Sequence, residues 1–162
     1  MKISFEGDRG LKNLASHLDD FLGGGAAKLI QTQLVASLNN RTVPLAKSDA
    51  PVGKTGELRD SIYAEASEDD PMGAEYGASS DHAGFVVGGT RPHEIEPRER
   101  KALAWTGDGG QTVFAKRVMH PGTAPNPFLT EALASTMGDV CDDVVEKMVE
   151  TLDAMTEEVP PS

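Results

Sequence analysis

Histidine side chains are the first candidates for chemistry in this sequence of 162 residues. A metal site needs ligands that converge from a pair of helices or a tight knuckle. His17, on a predicted helix, has Phe21 rather than a second ligand four residues later, and His82 stands alone. His93 and His120 each stand beside a proline in a predicted loop, so turn geometry accounts for them as well as a shared metal does. We therefore predict no bound metal and no cofactor.

Other patterns typical of catalysis fail on spacing. Gly53-Lys54-Thr55 suggests a phosphate-binding loop, but that loop needs a glycine where this chain has Ser48. No Gly-x-Ser-x-Gly run is present. The single Cys141 falls on or near the apolar stripe of a predicted helix, so we expect a small buried hydrophobic side chain. The sequence predicts no catalytic constellation, and hence a protein that is not an enzyme.

The charge balance limits the class of partner. Twenty-six acidic residues against fifteen basic ones give a net charge of −11 and a pI near 4.7. A generic nucleic-acid-binding protein needs the opposite sign. Acid excess is compatible with solubility, with adaptation to high salt, and with a surface that must not bind DNA passing nearby.

Several cellular destinations are also disfavoured. No apolar run approaches the ~18 residues of a membrane span. The first residues, Met1 to Asp8, lack the apolar core of a secretory signal. One cysteine cannot form an internal disulfide, which predicts folding in a reducing cytoplasm.

The charge is distributed unevenly along the chain. The basic residues of the predicted sheet region outnumber its four acids, giving net +2; they are Arg91, Arg98, Arg100, Lys101, Lys116 and Arg117. The stretch 128–162 holds nine acids and one lysine, net −8. Opposite charges on two segments favour a contact between copies of the chain. The alternative is that these charges pair within one copy or do not pair at all.

Helical spacing of apolar residues predicts three helices. The first covers 11–22 and the second 26–38, with Gly23-Gly24-Gly25 between them and Asn39-Asn40 as the end of the second. The third begins after Pro127, and its apolar residues recur every three or four positions to Met155.

Strand patterns occupy the middle of the chain. A loop over 42–56 and a short helical turn precede a strand over 61–66, and 67–81 is predicted to be a mobile loop. Further extended segments are predicted at 83–87, 94–97, 102–105 and 112–115. We expect one α+β domain over 1–155, with an antiparallel sheet of about four strands, a long C-terminal helix packed on the sheet, and a disordered tail at 156–162.

The order of several motifs is more specific than any one of them. They are the run Ala50 to Ile62, the segment Val87 to Pro97 containing Thr90-Arg91-Pro92-His93, then Lys101 to Trp105, Val113 to Val118, and His120-Pro121-Gly122-Thr123 on to Leu133. In this order they resemble the tail-completion, or head–tail joining, proteins of long-tailed phages and related viruses. The resemblance covers about residues 50–133.

That resemblance implies a virion structural protein of the neck, made in the host cytoplasm, without enzymatic activity. It implies a cyclic homo-oligomer of six or twelve copies between connector or stopper proteins and the tail tube, through which DNA passes without specific binding and without any membrane contact. We expect the contacts between subunits to involve exposed, motif-bearing residues: Arg91, His93, Arg98, Arg100, Lys116, Arg117, His120 and Phe128.

Two alternatives remain open at the level of sequence. One is a small hydrolase using His93 or His120 with a nearby carboxylate. The other is a nucleic-acid-binding module using the basic region Arg91–Arg117, although the net charge and a lack of interleaved aromatic residues there argue against it.

Overall fold

The computed structural model describes residues 1–5, 23, 25–53, 55–98, 101–107 and 109–157. The α+β class expected from the sequence is confirmed, with short antiparallel sheets and a long C-terminal helix. The chain divides into two compact units. The first unit combines Met1–Ala83 with Phe128–Ser162, and the second is Gly84–Pro127.

The elements follow one another in a simple order. They are β1 (Lys2–Phe5), α1 (Gly25–Ser37), a π-helical segment (Leu38–Thr42), α2 (Val43–Asp49), α3 (Glu57–Asp60), β2 (Ile62–Ala66), β3 (Ala74–Ala78), α4 (Ala83–Gly88), β4 (His93–Ile95), β5 (Leu103–Thr106), β6 (Thr112–Ala115), β7 (Val118–His120) and α5 (Phe128–Glu157). The predicted helix over 11–22, with His17, and the tail beyond 157 lie outside the described residues.

Helix α1 buries the predicted apolar stripe, but the helical run does not end at Asn39-Asn40. It widens into the π-helical segment, in which the Val43 amide bonds the Leu38 carbonyl five residues earlier. Pro44 has no N–H to donate, which interrupts the α-helical ladder at this point. Helix α2 then occupies half of the predicted loop 42–56, and ends before Ala50, which is extended as expected of a residue preceding proline.

The sheet of the first unit is antiparallel, with order β1-β3-β2. Its central strand, β3, lies within the segment 67–81 predicted to be a mobile loop, so that prediction is wrong for 74–78. Tyr76 pairs with Ile3 on one side and Ala64 on the other. Acidic and glycine-rich neighbours hid this strand, because they lower its average hydropathy.

The turn before β3 is fastened by one amide side chain. Gln31 of α1 lies within hydrogen-bond distance of three backbone carbonyls, with its Nε2 at 3.0 Å from Ser67 and Asp70 and 3.1 Å from Gly73. This explains why a segment of loop-like composition is held against a helix.

The core of the first unit lies between the sheet and the helices. Helix α5 packs chiefly on α1, α2 and the π-helical segment, and these carry the contacts to β2 and β3. It also reaches the sheet at Tyr76, whose hydroxyl donates to the Leu129 carbonyl at 3.2 Å. Burial raises the pKa of Tyr76, so the phenol remains a donor.

A polar cluster fastens α5 to the π-helical segment. The Arg41 guanidinium donates two hydrogen bonds to the Asp143 carboxylate, at 2.7 and 2.8 Å, and Ser37 donates a third. The hydrogen bonds from Arg41 and Ser37 lower the pKa of Asp143 to about 2.

Because of this cluster, the free energy of unfolding depends on pH. A carboxylate whose pKa is lower in the folded chain stabilises the fold above its unfolded pKa, near 3.9, and that contribution is lost as the pH falls to about 2. We expect the free energy of unfolding, measured with urea, to decrease less between about pH 5 and pH 2 in Arg41→Ala than in the wild type. Arg59→Ala, which removes the more exposed pair with Asp60, serves as the control. Equal pH profiles for wild type and Arg41→Ala would contradict this assignment.

The second unit contains α4 and two separate two-stranded ladders, β4-β7 and β5-β6. The continuous meander of about four strands is therefore not formed. The strand predicted at 83–87 is wrong: it is helix α4. A short apolar run does not by itself distinguish a strand from one or two turns of helix.

Candidate functional site

The β4-β7 ladder brings two of the motif segments together. His93 pairs with His120, and Ile95 with Val118, across antiparallel strands. The two imidazole rings stack with centroids 5.1 Å apart and planes inclined by 28°. Two residues that are 27 positions apart in sequence thus form one surface feature.

Backbone groups fix the tautomer of each ring. A carbonyl oxygen can only accept, so the Nδ1 of His93 donates to the Arg91 carbonyl at 2.9 Å. The Gly122 amide donates to the Nδ1 of His120 at 3.1 Å, so that nitrogen carries no proton. Each histidine therefore stabilises the adjacent turn through a hydrogen bond to a backbone group two residues away.

Next to this pair, two glycines allow the chain to approach itself. Thr90 and Thr123 exchange backbone hydrogen bonds at 2.9 and 3.0 Å. Gly89 and Gly122 have φ of +69° and +87°, and a Cβ at Gly122 would lie 2.3 Å from the Thr90 carbonyl oxygen. Only glycine fits such a position without strain. The runs around Thr90 and Thr123 are thus two halves of one clamp.

The cationic residues predicted for subunit contacts lie around this clamp. Arg91, Arg98, Lys116 and Arg117 are exposed, whereas Arg100 lies outside the described residues. Arg117 contacts Glu94 at 3.1 Å, and 70% of the Arg117 side chain and 39% of the Glu94 side chain are exposed. Pairs of this kind contribute about 0–1 kcal/mol, so these charges remain available to a partner.

Phe128 was predicted to take part in contacts between subunits, and the structure contradicts this. Its side chain is 1% exposed and lies in the core of the first unit. It begins α5 immediately after Pro127, and its large apolar ring packs inward. A buried ring cannot contact a neighbouring subunit.

The β5-β6 hairpin presents aromatic side chains that the sequence reasoning overlooked. Phe114, paired with Ala104, is 70% exposed, and Trp105, paired with Val113, is 42% exposed. Because successive side chains of a strand point to opposite faces, the two aromatics lie on opposite faces of the hairpin. Aromatic residues do therefore interleave with the basic ones here. The alternation across the predicted hairpin could have revealed them.

The second unit has almost no core of its own. Among its described residues only Val87 is buried, while Phe85, Ile95, Trp105, Phe114 and Met119 are exposed. An isolated two-stranded hairpin is marginally stable, and clustered exposed apolar residues mark interaction sites. Much of the apolar surface of the second unit is therefore exposed.

Other sites considered in the sequence receive no geometric support. No three His, Cys, Asp or Glu side chains come together as metal ligands in the described part of the chain. His82 is exposed, 3.8 Å from Glu57. Cys141 is half-buried on α5 rather than fully buried, and Lys54 lies outside the described residues. Within those residues no helix is long and apolar enough to cross a membrane.

Comparisons with known proteins add no relatives. No protein-family model matches this chain, and no match was found among curated proteins or among solved structures. A functional hypothesis must therefore be supported by the residues and the geometry of the chain itself.

Proposed function

We propose that this chain is a structural protein of the junction between head and tail of a tailed virus, where it forms a ring that completes the tail or joins it to the head. The observation that carries the proposal is the clamp of the second unit. Its two halves are two of the five motif segments on which the resemblance to tail-completion proteins depends, and they pair through His93 with His120 and Thr90 with Thr123. These two segments therefore form one paired structure in the folded chain.

The surface around the clamp supports assembly. The two imidazole rings stack on each other, and each Nδ1 bonds a backbone group of the adjacent turn, so both histidines stabilise the local backbone. The exposed aromatic and arginine side chains of this unit are of the types enriched at protein–protein interfaces. In the proposed ring the partners are further copies of the chain, six or twelve in all, with connector or stopper proteins on one side and tail-tube proteins on the other.

The acidic surface supports a DNA channel. With a net charge of −11, a ring of copies would repel the phosphate backbone over several ångströms. DNA would then pass through the lumen without being held by it.

The test is to locate the subunit in intact particles and to count its copies. We expect cryo-electron microscopy to find the chain as a ring at the neck, and native mass spectrometry of isolated necks to give six or twelve copies. A map that places the subunit elsewhere in the particle would overturn the proposal.

A second candidate function is supported by the exposed aromatics of the hairpin. Trp105, on one face of the hairpin, is 42% exposed and resembles a platform on which a base of single-stranded DNA can stack. Trp105 is the only tryptophan in the chain, so its fluorescence reports directly on binding. Quenching by single-stranded DNA that weakens steeply with salt would favour this candidate; unchanged fluorescence would reject it.

A further inference from the structure

Helix α5 carries a second apolar stripe that its own core does not use. Val145 and Val149, one turn apart, are 46% and 50% exposed. The core stripe of the same helix runs through Val140, Val144 and Met148, which are buried. The exposed valines therefore lie about 100° around the helix from the buried face, since each residue advances by that angle.

Carboxylates border the two valines. Asp142 and Glu146 are exposed; Asp142 stands three residues before Val145, and Glu146 three residues before Val149. All four therefore lie on one surface of the helix. We call this surface, formed by Asp142, Val145, Glu146 and Val149, the acidic valine stripe.

The β5-β6 hairpin has the complementary character. On one of its faces Phe114 stands opposite Ala104, and Thr112 opposite Thr106; all four are exposed. The exposed Lys116 follows the end of β6, two positions after Phe114. This face, formed by Ala104, Thr106, Thr112 and Phe114 with Lys116, is the Phe114 face.

We propose that the Phe114 face of one copy of this chain docks on the acidic valine stripe of the next copy. An aromatic ring covers two exposed valines, and Lys116 meets the carboxylates of Asp142 and Glu146. The charge balance of the whole segments agrees, since residues 84–127 carry net +2 and residues 128–162 net −8. Electrostatic complementarity of this kind selects the partner and the orientation.

The geometry of this contact has a consequence for assembly. The two surfaces are different, so each copy uses one for the neighbour on its left and the other for the neighbour on its right. Such heterologous contacts close into a ring when the rotation between copies permits it. The inference thus deepens the proposed function, on which it rests for the expectation of a closed ring.

Single substitutions on either surface test the contact. Phe114→Asp and Val149→Asp each place a carboxylate at the centre of the proposed interface. We expect each to weaken self-association about thirtyfold or more, the effect of losing one hot-spot residue, in sedimentation velocity and native mass spectrometry. Phe85→Asp and Val52→Asp, at equally exposed positions, are the matched controls and should assemble like the wild type.

Mixing the two variants distinguishes this contact from a symmetric one. Phe114→Asp keeps its acidic valine stripe and Val149→Asp keeps its Phe114 face, so an equimolar mixture has one intact junction. We expect it to form a one-to-one heterodimer and nothing larger, which also shows that both variants are folded. Wild-type-like oligomers in either variant alone, or no heterodimer in the mixture, would overturn the inference.

The two proposals fail separately. A wild-type chain that remains monomeric at its highest soluble concentration rejects the docking contact, wherever the subunit lies in the particle. Assembly through these two surfaces, combined with a position away from the neck, leaves the contact standing and rejects the proposed function.

Discussion

Phe128→Ala is expected to lower the free energy of unfolding by about 3–5 kcal/mol, the usual cost of truncating a buried phenylalanine. Phe128 is the first residue of helix α5, and its side chain is 1% exposed. The carbonyl of the next residue, Leu129, accepts a hydrogen bond from the Tyr76 hydroxyl. The cavity left behind would lie where helix and sheet of the first unit meet. Urea unfolding followed by far-ultraviolet circular dichroism measures the loss.

The matched control is a phenylalanine of the opposite kind. Phe114 is 70% exposed, so Phe114→Ala should change the free energy of unfolding by no more than about 0.5 kcal/mol, as is usual for surface positions, while weakening self-association. The reverse pattern, with Phe128→Ala stable but monomeric, would return Phe128 to the contact surface and contradict its burial.

Gly122→Ala is expected to open the clamp of the second unit. Its φ of +87° and the 2.3 Å approach of an added Cβ to the Thr90 carbonyl oxygen leave no place for a methyl group. Left-handed backbone costs an alanine about 1–2 kcal/mol, and loss of the two Thr90–Thr123 hydrogen bonds adds about 1 kcal/mol each. The sum is comparable with the whole stability of a small unit that lacks a core.

Hydrogen exchange at the Thr90 and Thr123 amides measures this opening. We expect exchange at both to accelerate by two orders of magnitude or more, about 3 kcal/mol, in Gly122→Ala. Gly88→Ala is the control, because nothing lies within 4 Å of its added Cβ and its φ is ordinary. Wild-type protection in Gly122→Ala would show that the clamp is not closed in solution.

The periodic parts of this fold were predictable and the exceptions have identifiable causes. The long helix and the strands at 62–66, 103–106 and 112–115 follow from the spacing of apolar residues. Strand β3 was missed because its only large apolar residue is Tyr76, set among alanines, a glycine and Glu75. It is the central strand because it pairs with β1 on one side and β2 on the other. Such pairing between distant segments can determine a strand whose own composition favours a loop.

The candidate site was predictable as a set of loops but not as a surface. Arg91, His93, Lys116, Arg117 and His120 do lie in one compact unit. The pairing of His93 with His120 could not be read from spacing, because β5 and β6 are inserted between the two strands that carry them. The exposure of Phe114 and Val149 depends on which face each element buries, and that is set by partners distant in sequence.

The side chain of Asn39 affects how readily this protein can aggregate at high concentration. Its amide donates to the carbonyl of Ala64, on the strand at the free edge of the three-stranded sheet. An unblocked edge is a template on which a foreign chain can add a strand and begin aggregation. With that acceptor occupied, the edge strand is less able to pair with the backbone of another chain at high concentration.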